Sequence, residues 1–326
     1  MKRFAHAFSI AAVSLLLGYH SLTYAASDYP SKNIRAIIPF PAGGINDTVA
    51  RLFFTQAAKA LGKEVIIDNR PGAGGMIGTR VAVDSKPDGY TVLLGAASTI
   101  SVAPSLYKDV KYNPSTDLIA VGGIAAVPSV MLVNKDAAFQ SLQALIEQAR
   151  QEPGSLNYGS AGSGTSHHVQ TEMLALDADI EIIHVPYQGG APAMTDLIGG
   201  QLQMLLEPLP TALPHIESGR VRALGITQKD RSELLPAVPT FDEAAVPGYE
   251  ATTWFGVFVP SDTPAPIVSF LSQAIDTSLE DPAFIKDLQQ RGITPMPMSQ
   301  DQFQAFVNTQ NSLWKNVITK AKLQIP

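Results

Sequence analysis

Cysteine is absent from the 326-residue chain. That excludes disulfides, thiolate metal sites and a cysteine nucleophile. No basic tract is present either: 23 Lys and Arg stand against 29 Asp and Glu, a formal net charge of −6. A nucleic-acid partner, which needs a basic patch or stripe, is therefore not expected. Charged residues are scarce at 16%, while hydrophobic residues reach 45%, enough for a core and too many for a disordered chain. Beyond the N-terminus, no stretch is long and apolar enough to span a bilayer. No repeat of fixed period or low-complexity tract appears. A chain of this length makes one large domain or two medium ones.

What is there begins with an address. Lys2 and Arg3 precede the apolar run "FSIAAVSLLLG", and small residues follow at Ala25-Ala26. This is the layout of a cleaved signal peptide over residues 1–26, removed after Ala25 or Ala26. Loss of Lys2 and Arg3 takes the net charge from −6 to −8. With no cysteine to carry a lipid, the expected product is soluble, periplasmic and not lipid-anchored.

The remaining sequence alternates short apolar runs with helical spacing. Strands are expected at "IRAIIPF", "EVIIDN", "GYTVLLGA", "SVMLVNK", "LNYGS", "IEIIHVPY", "LQMLLEPL", "VRALGIT" and "WFGVFVPSDTP". Helices are expected after Asn46 and near 75–85, 141–151, 166–176, 191–198, 265–279 and 300–321. Such βαβ alternation predicts an α/β fold with a mostly parallel sheet, in two units of ordinary domain size.

Three loops carry the glycines: "PFPAGGIND", "NRPGAGGMIG" and "NYGSAGSGTSHH". The first and third each join an expected strand to an expected helix. Ligands of open α/β sheets bind outside the carboxyl ends of strands, where a helix N-terminus offers free N–H groups and a positive dipole end. Two such termini suit an anion, a carboxylate as well as a phosphate. Nucleotide motifs do not fit: no loop supplies the P-loop lysine, and counting five on from Gly72 or Gly162 reaches Ile77 or His167 instead of the third glycine of a dinucleotide fingerprint. The spacing G-x-S-x-G is also missing. His167 and His168, adjacent at a helix start, point about 100° apart and do not form a metal pair. The bland roles are a loop-fixing His168, a structural His184 and a helix-capping Asp47. The function would then lie in the backbone N–H groups.

Taken in order, "YPSKNIRAIIPFPAGGINDTVARL", "NRPGAGGMIG", "PDGYTVLLG", "LNYGSAGSGTSHH", "HVPYQGGAPAMTDLIGGQ", "LPTALPHIESGRVRALGIT" and "VPTFDEAAVPGYEATTWFG" resemble the substrate-binding proteins of tripartite tricarboxylate transporters, the Bordetella uptake gene family. The resemblance covers nearly all of the chain after its leader. It implies a type II periplasmic binding-protein fold, with two α/β domains, two crossing strands and a ligand cleft between. From the strand pattern, the crossings fall near 123–130 and 252–258. Domain 1 is then 27–125 plus 252–326, and domain 2 is 126–251.

The resemblance further implies a non-enzymatic protein without cofactor or metal. It would bind a small carboxylated molecule and make transient contact with membrane permease subunits, as a monomer. Gly43, Gly44 and Asp47 match the family's first loop, whereas Ile45 and Asn46 replace glycine, serine or threonine. Ser160, Gly162, Gly164 and His168 match the third loop. There Thr165 replaces serine and His167 replaces a small residue. Tyr187 and Gly189 match a third signature, and Glu207 stands where aspartate is common. The expected ligand-binding set is Phe40, Ala42, Gly43, Gly44, Asn46, Asp47, Ser98, Ser160, Ser163, Gly164, Thr165, His167, His168, Tyr187 and Glu207. Two other readings use the same residues: a periplasmic hydrolase acting through a serine of the third loop, and a sensor feeding a signalling protein.

Overall fold

The computed structural model describes residues 29–325; the signal-peptide reading of 1–26 lies outside them. The first unit opens with β1 (Ile34–Ile38), α1 (Ile45–Leu61), β2 (Val65–Asn69), α2 (Met76–Val83) and β3 (Thr91–Ala96). Central β1 is apolar at every position except Arg35 because helices cover both of its faces. α1 forms because Val49, Phe53, Ala57 and Leu61 recur at helical spacing and bury one stripe.

A 17-residue strand, β4 (Leu118–Asn134), follows. Then come α3 (Leu142–Gln151), β5 (Asn157–Ser160), α4 (Ser166–Ala178), β6 (Ile183–Pro186), α5 (Gly190–Ile198), β7 (Met204–Pro208), α6 (Leu209–Glu217) and β8 (Val221–Ile226). The chain ends with β9 (Thr252–Pro260), α7 (Ala265–Leu279), α8 (Pro282–Gln290), β10 (Thr294–Pro295) and α9 (Gln300–Lys320).

The strands run in the order β2-β1-β3-β9-β4-β7-β5-β6, with β8 and β10 also on β4. The flanks β1–β2, β1–β3, β5–β6 and β5–β7 are parallel, while β9 and β4 are antiparallel to their neighbours. β4 belongs to both halves. It pairs with β9 from Leu118 to Pro128, then with β7 and β8 from Ser129 onward. The return connection enters β9 at Ala251, whose N–H donates to the Thr227 carbonyl at the end of β8.

Two differences from the sequence expectation concern the C-terminal part. A third helix, α8, stands between α7 and α9; the Asp281 carboxylate caps it by accepting from the Ala283 and Phe284 N–H groups, with Pro282 at its first position. The last helix also does not stay with the first unit. Phe303 and Val307 of α9 pack with Trp254 and Phe258, while Trp314, Val317 and Ile318 belong to a cluster that joins Val102 and Leu106 of the first unit to Met173 and Leu174 of α4. The expected partition placed all of 252–326 with the first unit; α9 instead spans the two. No helix among the described residues is long and apolar enough to cross a membrane.

Candidate ligand-binding site

The loops after β1, β2 and β5 meet. A Cβ placed on Gly75 of the second loop would lie 2.9 Å from the Phe40 ring of the first. One placed on Gly74 would lie 2.5 Å from the Tyr107 hydroxyl and 3.6 Å from the Ser163 carbonyl of the third. Tyr107, which sequence reasoning passed over, donates to that Ser163 carbonyl at 2.8 Å. It follows the helical turn after β3 and carries no motif, so only the assembled loops reveal it. Ser98 is buried at the start of a π-helical turn just past the carboxyl end of β3, a geometry that recurs at functional sites.

The first and third loops are built alike. Gly44 and Thr165 occupy the N-cap positions of α1 and α4, and neither helix receives a side-chain cap. The first intrahelical bonds run from Thr48 N–H to the Gly44 carbonyl and from Val169 N–H to the Thr165 carbonyl. Among the described residues, the N–H groups of 45–47 and 166–168 meet no acceptor and are thus left to an outside one. At the third helical position a side chain turns back onto the loop. Asp47 accepts the Gly43 N–H at 3.0 Å, and His168 Nδ1 accepts the Gly164 N–H at 3.1 Å. Asp47 is therefore not the helix cap expected from the sequence; it braces the loop from inside α1. Asn69 of β2, also missed, donates both to the Phe40 carbonyl and to Asp47 at 3.1 Å. Burial alone would raise the Asp47 carboxyl. Its bonds from Arg51, the Gly43 N–H and Asn69 outweigh that and hold it below the usual carboxylate range.

His168, Ser160 and Tyr187 spend their side chains within the second unit. The Ser160 hydroxyl meets His184 Nε2 at 2.6 Å and accepts the Gly162 N–H at 3.1 Å. Ser160 is 0% exposed, and the pair braces the loop from within. Thr165 donates to the Gly162 carbonyl, and Tyr187 donates to Asp196, each at 2.6 Å. Ala42, Gly43 and Gly44 are exposed at the loop tip.

Glu207 lies on β7. It is 5% exposed, and both its oxygens are used: Oε2 by His167 Nε2 at 2.9 Å, Oε1 by the Thr211 hydroxyl at 2.5 Å. It also lies against Gly190, where an added Cβ would come within 3.1 Å. Glu207 thus ties together the starts of α4, α5 and α6. Behind the site, Gln170 of α4 accepts from Ser129 at 2.8 Å. Its amide also reaches toward Thr253, linking the helix to both connecting strands.

The stacked histidines make a pH-dependent contribution. Burial, aided by neighbouring His184, pushes His168 down to about 3; burial pushes His184 down to about 4. The rings stack at 4.1 Å. An unfolded chain protonates these groups near pH 6.5, whereas the folded one resists. Their stabilisation is complete above about pH 6.5 and is lost as pH falls toward 3, with a limiting slope of about 1.4 kcal/mol per pH unit for His168. His184 acts in the same direction but is less enclosed. Thermal unfolding followed from pH 7.5 to 4.5 should show a falling midpoint, and His168→Asn should flatten part of that fall. A wild-type midpoint that is level between pH 7 and 5 would contradict this.

A two-winged sheet with paired, uncapped helix starts where the loops meet defines a type II periplasmic binding protein, the fold also seen in solved relatives. The chain belongs to the tripartite tricarboxylate transporter family receptors, whose family profile matches residues 49–323. It is 37% identical to Protein BugT of Bordetella pertussis over 302 residues, covering 92% of this chain and 93% of that one. Rpa4515 of R. palustris, solved with adipate, superposes with a TM-score of 0.86 at 33% identity, covering 91% of this chain and 100% of that one. MatC of Rhodopseudomonas palustris, solved with bound malate, gives a TM-score of 0.82 at 29% identity, covering 89% of this chain and 100% of that one.

Proposed function

We propose that the chain is an extracytoplasmic solute-binding protein. It captures a small carboxylate between its two units and delivers it to a tripartite tricarboxylate-type permease. The observation that carries this reading is the pair of uncapped helix starts, α1 and α4, whose loops each meet the loop after β2. Each offers N–H donors and a positive dipole end to an anion. The carboxylates held by two relatives, adipate and malate, support the same class. In this reading the leader directs the chain to the periplasm, the protein acts as a monomer, and it performs no chemistry on its ligand.

The moving parts are residues 27–125 with 252–326, and residues 126–251, with α9 anchored on both. Hinge motion falls at Pro128–Ser129, where β4 changes partner, and at Ala251–Thr252. Closure would exclude water and strengthen the bonds that hold the ligand.

Titration of the purified chain with mono- and dicarboxylates tests this. Binding should raise the unfolding temperature, as any native-state ligand does, while ester analogues remain unhydrolysed. Small-angle scattering should give a smaller radius of gyration at saturation. Ester turnover would favour the hydrolase reading, and an unchanged radius would remove the hinge. Loss of uptake on deleting the permease genes, with signalling intact, separates transport from sensing.

A further inference from the structure

The matched build of the two loops leaves one position in each unexplained. Third helical residues Asp47 and His168 are consumed by their own loops. Second helical residues Asn46 and His167 are not. Asn46 Oδ1 and His167 Nδ1 are both buried, and no protein group among the described residues partners either. His167 is only 6% exposed, so its free nitrogen is not simply turned to solvent. A buried polar atom without a partner costs free energy until something fills it.

The chemistry of the free nitrogen follows from the other end of the ring. Nε2 lies 2.9 Å from Oε2 of Glu207, whose other oxygen accepts the Thr211 hydroxyl. A proton on Nε2 points at that oxygen, and in the tautomer so held Nδ1 is an acceptor. The Asn46 atom left over is an acceptor as well. Two unfilled acceptors stand beside two helix starts that themselves present only donors.

We propose that Asn46 Oδ1 and His167 Nδ1 read hydrogens on the ligand, so that the site selects carboxylates bearing a hydroxyl or ammonium group over unsubstituted ones. The inference rests on the carboxylate reading above and narrows it. The helix starts hold the carboxylate, and the acceptors hold the substituent. Glu207 is a positioning residue: it fixes the tautomer and aim of His167 and does not touch the ligand. An unsubstituted ligand would leave both acceptors empty, and a site with unpaired buried acceptors discriminates strongly against a ligand lacking the matching donor.

The test uses matched sets of four, five and six carbons: the plain dicarboxylate, its 2-hydroxy form and its 2-amino form, titrated calorimetrically at one pH. The wild-type chain should bind a hydroxy or amino member at least tenfold more tightly than its plain counterpart. His167→Gln and Asn46→Ala should each shrink that ratio by about tenfold. Asn46 is half-buried and outside the core, so its variant stays informative if the histidine variant fails to fold. Equal or tighter binding of plain members, or a ratio unchanged in both variants, overturns the proposal while the carboxylate reading stands. Tighter binding of plain members would mean that a doubly protonated His167 donates from Nδ1 to a second carboxylate. No binding of any member overturns both readings.

Discussion

Gly164→Val is expected to abolish carboxylate binding, a loss of at least hundredfold in affinity. Gly164 sits at φ +78°, and a Cβ there would lie 2.7 Å from the Tyr107 hydroxyl and 3.0 Å from Leu106. Any side chain is strained at such a φ and drives Tyr107 off Ser163. The loop that presents the start of α4 then shifts. Losing two charge-assisted bonds of about 1.5–3 kcal/mol each accounts for the hundredfold.

Since this variant damages the loop as well as the site, Gly44→Val is the sharper companion. Gly44 has φ −85°, and its nearest neighbour to an added Cβ is the Pro41 carbonyl at 3.8 Å. The protein can accept the side chain at an N-cap cost of about 1 kcal/mol or less. A ligand seated on the α1 N-terminus cannot. Calorimetry with any bound carboxylate, read beside the unfolding temperature, checks both. A Gly44→Val chain that melts normally and binds normally would show that the ligand does not approach α1.

Asp47→Ala should destabilise the first loop by about 1–3 kcal/mol. The carboxylate is 4% exposed and accepts from Gly43, Asn69 and Arg51. Its removal takes the acceptor from the Gly43 N–H and leaves the Asn69 amide with the Phe40 carbonyl alone. Arg51→Ala is the contrast. Its side chain is 54% exposed, and an exposed partner of this kind is worth about 0–1 kcal/mol. The depressed Asp47 carboxyl adds an acid term: its stabilisation is present above the ordinary carboxylate value and is lost as pH falls through the lowered folded one. Urea unfolding of both variants at pH 7 measures the difference. Equal, small losses would mean that the loop is held by its backbone alone.

Sequence alone determined whatever depends on near neighbours along the chain. Hydrophobic spacing gave α7 at 265–279 and nearly all of α9, because a buried stripe needs its residues every three to four positions. Glycines between strand and helix located both anion-suited loops, and the ordered signatures identified the family. Elsewhere local cues conflict. Pro210 and Pro214 disguised α6, and the Asp281–Pro282 start of α8 was legible but unused.

Tertiary structure alone decided which groups meet. β4 runs unbroken for 17 residues because it finds β9 on one half and β7 and β8 on the other, and a strand's partners are chosen across the sheet, not along the chain. The same holds for side chains. Asp47 meets Asn69 across 22 residues, Tyr107 meets Ser163 across 56, and His167 meets Glu207 across 40. A hydrogen bond requires atoms within about 3 Å, and sequence spacing fixes such distances only within a turn or a helix. Residue types therefore pointed to an anion, and the family signatures to a carboxylate. Only the packing of α4 against β7 determined that Glu207 is spent on His167, leaving Nδ1 free.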